Sequence, residues 1–338
     1  MCKNNSLEKS KELFKKTLVA IENPYKSVNY VFRNIVDTLD EKNIDQVHYI
    51  GVKDVEQIPR TLVTKLANSN FLLHTLDAHS LGGRAIDVNL MNPITARPMT
   101  GSSSGTAINV FAGINDLGIG TDGGGSVLAP SMALNLFGLI CPLIEQDEMK
   151  KYNRKSTDGI EFYPSIGLIS KRIDLIEKGL SILLETEIKE VETDAILASK
   201  KVEGYKDVTE FPNSTSSRNE MINFLNEHLS NYDCLIDIEG PIDTEGFGDT
   251  VFGHFDDKTK IIQANANKCL SKVANMVKAT SIVVPTGKLA TSYILICESK
   301  KEKIEKMLTI AKSINYKEDQ LIENYFADLS KYIKKGYF

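Results

Sequence analysis

The stretch Thr100–Pro130, TGSSSGTAINVFAGINDLGIGTDGGGSVLAP, decides how this chain is read. It holds two clusters of serine and glycine joined by an apolar segment too regular for a linker. Ser102, Ser103 and Ser104 precede Ala107, Ile108, Val110, Phe111 and Ile114, which recur as one helix face, with serine or glycine suited to its N-cap. Leu117 to Gly120 then reads as a strand feeding Gly123, Gly124, Gly125 and Ser126. Three glycines before a serine free backbone N–H groups to converge on one point, because glycine adopts strained conformations and permits close approach. That is how donors for a developing oxyanion are placed beside a nucleophile.

Outward from this stretch, the chain alternates helix, strand and loop. The periodicity predicts helices over residues 6–43, a strand at 46–55 (QVHYIGVKDV), a helix at 61–68 and a strand at 70–76. Residues 77–99 read as irregular, 130–135 as a short helix, and EQDEMKKYNRKSTDG (145–159) as a polar stretch crossing the surface. SIGLISKRIDLIEKGLSILLE (165–185) runs from an extended start into an amphipathic helix, and 187–217 reads as peripheral. Beyond it come a helix at 220–228, a strand at 232–240, a helix at 264–277, strands at 281–285 and 292–298, and a charged helix at 300–314. This pattern predicts one α/β domain over 1–338, a mixed β-sheet with helices on both faces. Its parts are a helical N-terminal segment (6–43), a core (46–185), a second half of the sheet (186–315) and a helical tail (316–338).

Composition narrows the function. The 338 residues are 42% hydrophobic and 25% charged, with a net charge of −5, so there is a core to bury and no basic footprint for nucleic acid. The charged N-terminus lacks a secretory h-region, and no segment nears the roughly 18 apolar residues that cross a bilayer. Cys2, Cys141, Cys234, Cys269 and Cys297 are odd in number and form no CxxC pair, which fits reduced thiols in a cytoplasmic protein and neither disulfides nor zinc. Without an HExxH or a histidine cluster, no metal is expected. Gly118, Gly120 and Gly123 match GxGxxG, but GGSVLAP breaks the helix that such a motif needs, so no nucleotide cofactor is expected either.

A nucleophilic serine needs a base. Ser126 has donors by adjacency, and the chain offers His48, His74, His79, His228 and His254, none in a triad context, while the loop lacks G-x-S-x-G. A buried lysine can also serve, since desolvation lowers its pKa toward neutrality. Lys53, in the apolar VHYIGVKDV, is the candidate. Asp122 reads as a brace for the glycine loop, and Arg97 as an anchor for 93–101.

Val52-Lys53-Asp54, Thr100-Gly101-Ser102-Ser103-Ser104-Gly105 and Gly120-Thr121-Asp122-Gly123-Gly124-Gly125-Ser126 together resemble the hallmarks of the amidase signature family. Their order matches, as does the 24-residue step from Ser102 to Ser126. The likeness is strong over 46–185 and continues weakly to about 315. It implies an α/β amidase fold and a Ser–cis-Ser–Lys triad: Ser126 attacks the carbonyl, Ser102 relays the proton through a cis peptide after Gly101, and neutral Lys53 accepts it. The N–H groups of Gly123, Gly124, Gly125 and Ser126 would hold the oxyanion, with Ser103, Thr121, Asp122 and Leu128 binding substrate or supporting the loop. The implied function is hydrolysis of a small linear amide, or transfer of its acyl group, through an acyl-enzyme. An amidotransferase component working with a partner chain, a homodimer, and a degenerate binding or scaffold protein are the alternatives. The chain departs from the family at Leu128, where an arginine is usual, in a short interval between Lys53 and Ser102, and in its length. Those departures imply a more open pocket or one that a partner completes.

Overall fold

The computed structural model describes residues 2–33, 35, 43–314, 316, 318–327 and 329. In chain order, the first elements are α1 (Cys2–Glu22), β1 (Val28–Val31), β2 (His48–Lys53), α2 (Arg60–Ala67) and β3 (Phe71–Asp77). A two-stranded sheet of β4 (Ile86–Met91) and β5 (Pro98–Thr100) leads to α3 (Ser104–Phe111). Next come β6 (Leu117–Asp122), α4 (Leu128–Ala133), β7 (Phe137–Cys141) and α5 (Gln146–Lys150). A small hairpin of β8 (Arg154–Lys155) and β9 (Glu161–Phe162) precedes β10 (Ser165–Ser170) and α6 (Ile173–Leu183). The rest is β11 (Ile196–Ser199), β12 (Asp207–Thr209), α7 (Arg218–His228), β13 (Cys234–Glu239), α8 (Asp257–Ala264), β14 (Ala279–Pro285), β15 (Ser292–Glu298), α9 (Lys301–Ser313) and α10 (Gln320–Tyr325).

Eleven strands form one mixed sheet in the order β1-β3-β2-β6-β10-β7-β14-β15-β13-β11-β12. Its side chains alternate between faces, as strand geometry requires. Ile282 and Val284 of β14 enter one core with Leu62 and Leu66 of α2, Leu180 of α6 and Leu308 of α9. Val283 points the other way, into a core with Ile108 and Phe111 of α3, Met132 of α4 and Leu225 of α7. Helices therefore cover both faces, as the sequence predicts.

Glycine sets how closely the helices approach. A Cβ on Gly118 would lie 2.5 Å from Thr106 Cγ2, and one on Gly120 would lie 2.6 Å from Ser103 Oγ. These absent methyls bring the start of α3 hard against β6. Parallel β2 and β6 pair Val52 with Ile119, so their carboxyl ends, Lys53 and Asp122, finish at the same edge beside Ser102 and Ser103. Crevices at the carboxyl ends of neighbouring strands are where α/β sheets bind ligands.

Three local expectations differ. Val28 and Val31, spaced as on a helix, lie in β1, where pairing with Asp77 and Thr75 of β3 overrides local periodicity. Val36 and Leu39 of that predicted helix, and residues 330–338 of the predicted tail, lie outside the described residues. Residues 77–99 contain β4 and part of β5 rather than loop alone. The helix expected at 264–277 ends at Ala264: Asn267 takes a φ of 56°, and the Glu239 carboxylate accepts the N–H groups of Cys269 and Ser271, leaving a short 3-10 turn at Leu270–Lys272.

Candidate active site

Lys53 is the last residue of β2 and is only 4% exposed. Its Nζ donates to Ser102 Oγ at 2.7 Å and to Thr121 Oγ1 at 3.1 Å. Burial lowers its pKa to about 7; nearby Asp122 resists that shift and Arg154 reinforces it. Near neutral pH, a large fraction of this side chain is therefore a free amine with a lone pair, held against a hydroxyl.

Ser102 follows a cis Gly101–Ser102 peptide bond. Gly101 fits only as glycine: a Cβ there would lie 2.5 Å from the Arg84 carbonyl oxygen and 2.8 Å from Ser80 Oγ. The Ser80 N–H donates to the Ser102 carbonyl at 3.2 Å, and the Ser103 N–H to the Ser126 carbonyl at 3.0 Å. The second bond staples the serine cluster to the glycine loop.

Asp122 organises that loop. Its carboxylate accepts N–H bonds from Gly125 at 2.7 Å, Val127 at 2.6 Å and Leu128 at 3.2 Å. The brace expected from sequence is thus present, and complete burial pushes the carboxyl pKa up against the pull of those donors. Gly125 turns the chain at a φ of 98°, a conformation that L side chains rarely adopt.

The edge opens into a cavity of about 580 Å³ lined by Lys53, Ser102, Thr121, Gly123, Gly124 and Ser126 among others. The volume suits a small organic substrate. One sequence expectation needs correction, and two that left substrate binding or loop support open narrow to loop support. Gly125 does not line the cavity, and its N–H is committed to Asp122, so the glycine N–H donors on the cavity wall are those of Gly123 and Gly124. Leu128 is fully buried in the helix-covered core and supports the loop through its N–H, which removes it from substrate binding. Ser103 is also fully buried, and its Oγ has no hydrogen-bond partner among the described residues; its N–H, not its hydroxyl, serves the site.

The histidines divide. His74 is buried between Asn115 Oδ1 at 2.9 Å and Thr17 Oγ1 at 3.2 Å, with burial lowering its pKa to about 4. It is a structural group. His79 lines the cavity and contacts the Ser80 carbonyl through Nδ1 at 3.0 Å. Arg97 lies 4.9 Å above the Phe247 ring, outside the cavity lining, in keeping with an anchor. Among the described residues, no cluster of His, Cys, Asp and Glu could hold a metal, and no helix is long and apolar enough to cross a membrane. Cys141, Cys234, Cys269 and Cys297 are free and buried, and burial raises the pKa of each thiol.

Sequence reasoning missed the opposite walls. Arg154, Lys155 and Phe162 come from the β8–β9 hairpin, Arg218 from α7, Asp249 from the loop that precedes α8, and Lys272 from the 3-10 turn. The stretch read as merely crossing the surface is part of the cavity. No spacing in the sequence relates these segments, which only the sheet order brings together.

The family model described as Amidase matches residues 89–171, the segment that carries both serine clusters. The fold is that of several solved structures. A component of the glutamyl-tRNA(Gln) amidotransferase from Thermotoga maritima superposes with a TM-score of 0.65 at 16% identity, covering 92% of this chain and 93% of that one. A bacterial aryl acylamidase of the amidase signature family gives 0.62 at 14% identity, covering 91% and 93%. A 6-aminohexanoate cyclic dimer hydrolase gives 0.62 at 11% identity, covering 92% and 95%. No protein of curated function matches the chain in sequence. The amidase likeness in sequence is thus confined to residues 89–171, while the likeness in fold to these structures extends over about nine-tenths of the chain.

Proposed function

We propose that this protein is a serine-dependent amidase that cleaves a small amide through an acyl-enzyme. One observation carries the reading: a buried lysine with a pKa near 7 lies 2.7 Å from a serine hydroxyl on the wall of a cavity that also exposes Ser126.

In this reading, Ser126 Oγ attacks the amide carbonyl carbon and loses its proton to Ser102 Oγ, whose own proton passes to the Lys53 amine. The Gly123 and Gly124 N–H groups face the oxygen that becomes an oxyanion. When the tetrahedral intermediate collapses, the C–N bond breaks and the proton returns from Lys53 through Ser102 to the leaving nitrogen. Water then attacks the acyl ester by the same route, releasing the acid and restoring Ser126. The base must be neutral at the outset, which the dry setting of Lys53 provides.

The test is Ser126→Ala. The variant keeps its circular dichroism and melting profile and loses amide turnover, while wild type with hydroxylamine yields the hydroxamate of the acyl group. Unchanged turnover by Ser126→Ala overturns the proposal.

A further inference from the structure

The cavity is far more basic than the chain that encloses it. The chain has 45 acidic and 40 basic residues, yet, besides the Lys53 amine, the cavity is lined by Arg84, Arg154, Lys155, Arg218 and Lys272 against one carboxylate, Asp249. That carboxylate is already taken by Arg84, at 2.6 Å. Lys155 pairs with Glu161, and Arg218 with Asp158. Among the described residues, the side chains of Arg154 and Lys272 have no hydrogen-bond or ion-pair partner.

Lys272 is the more telling of the two. It is half-buried: burial pushes its pKa down, Cys269 and the Glu239 carboxylate offset that in part, and Arg218 and Lys268 add to it. Removing an ammonium from water beside other cations is unfavourable unless an anion arrives to compensate. Its position is also fixed. The Glu239 carboxylate accepts the Cys269 and Ser271 N–H groups at 3.1 and 3.0 Å and the Ser271 hydroxyl at 2.7 Å, clamping the turn that ends in Lys272. The Lys272 carbonyl oxygen lies 3.4 Å from where a Cβ on Gly124 would stand, and that of Ser271 lies 3.2 Å from the same position on Gly125. The cation is built onto the glycine loop itself. Arg154 enters from the β8–β9 hairpin, close enough to Lys53 to disfavour its charge. Leu128 is sealed in the core, so cationic recognition in this cavity comes from other elements.

We infer that Lys272 and Arg154 form an anion-binding subsite and that the substrate is an amide carrying a carboxylate. The inference rests on the amidase reading only for the word amide. A carboxylate beside the scissile bond takes the ammonium as a point charge and the guanidinium as a two-pronged donor.

The experiment uses the half-amides of the linear dicarboxylic acids from malonate to adipate, each against the neutral primary amide of the same chain length. Binding is titrated calorimetrically into full-length Ser126→Ala, and ammonia release is measured with wild type. At least one half-amide binds ten-fold or more tighter than its neutral partner. Lys272→Met reduces that preference to within about three-fold, and Arg154→Gln, an exposed substitution that does not burden folding, reduces it in the same direction. Absence of any preference for the half-amides, or a preference that survives both substitutions, overturns the subsite. The arms separate the two claims: preferential binding without ammonia release retains the subsite and removes the amidase, whereas release from both series alike does the reverse.

Discussion

Lys53 and Ser102 are 49 residues apart in sequence and 2.7 Å apart in space, joined by a hydrogen bond that both residues make while nearly excluded from water. A lysine so placed is costly to the fold in its charged form and useful as a base in its neutral one. Activity and stability should therefore respond to it in opposite directions.

Lys53→Met removes the proton acceptor of the proposed mechanism, and turnover at pH 7.5 is expected to fall by roughly 10²–10⁴-fold, the range typical of a general base. The same variant should be more stable at pH 7, by about 1–3 kcal/mol, since an ionisable group no longer has to be neutralised on burial. Urea denaturation of both proteins checks this. The sign follows from linkage. The folded pKa of about 7 lies below the ordinary value of 10.5, so the unfolded chain binds more protons between these limits and wild-type stability gains as pH rises through that window. The stability difference between variant and wild type shrinks accordingly toward pH 10.

The pH dependence of kcat/KM carries the matching signature. The neutral amine is the active form, so the rate climbs with pH through about 7 and levels above it. Thr121→Val, which deletes the 3.1 Å contact to Nζ, should shift that inflection without abolishing turnover.

Asp122 offers a test of the loop. Asp122→Ala leaves the N–H groups of Gly125, Val127 and Leu128 without their acceptor, and a loss of about 2–4 kcal/mol is expected, together with most of the activity. Gly125→Ala forces a side chain into a φ of 98° and against the Ser271 carbonyl, with an expected cost of about 1–3 kcal/mol. Gly124→Ala, whose new methyl meets only ordinary contacts of 3.4 and 3.6 Å, should melt near wild type. Differential scanning calorimetry of the pair distinguishes a conformational requirement from mere crowding.

Leu128→Arg restores the residue that the resemblance leads one to expect. Because Leu128 is fully buried among apolar neighbours away from the cavity, the charge has no route to substrate. Destabilisation by about 3–5 kcal/mol with no gain in turnover is predicted, read by chemical denaturation and a turnover assay.

The half of the site that rests on local chemistry is legible in the sequence. A glycine run before Ser126, the Ser102 cluster and an apolar strand ending in Lys53 each mark themselves. The sheet supplies the rest by pairing β2 with β6 in parallel. Arg154, Arg218 and Lys272 carry no such mark. They sit in segments that read as exposed polar chain or as helix, and only the β8–β9 hairpin, the start of α7 and the Glu239-clamped turn bring them to one cavity. The misread β1 shows the same limit: Val28 and Val31 are spaced for a helix, and it is the β3 edge that makes them a strand. Gly125 fails differently, because adjacency to Ser126 says nothing about which N–H the Asp122 carboxylate will claim.

The most direct measurement of the central claim is the rate at which a fluorophosphonate modifies the native protein, followed by peptide mapping, for wild type and Lys53→Met across pH 5.5–9. The account predicts a single adduct on Ser126, a rate that rises through about pH 7, and near-complete loss of labelling in Lys53→Met. An unmodified Ser126 in the native protein, or equal labelling of the two proteins, would contradict it.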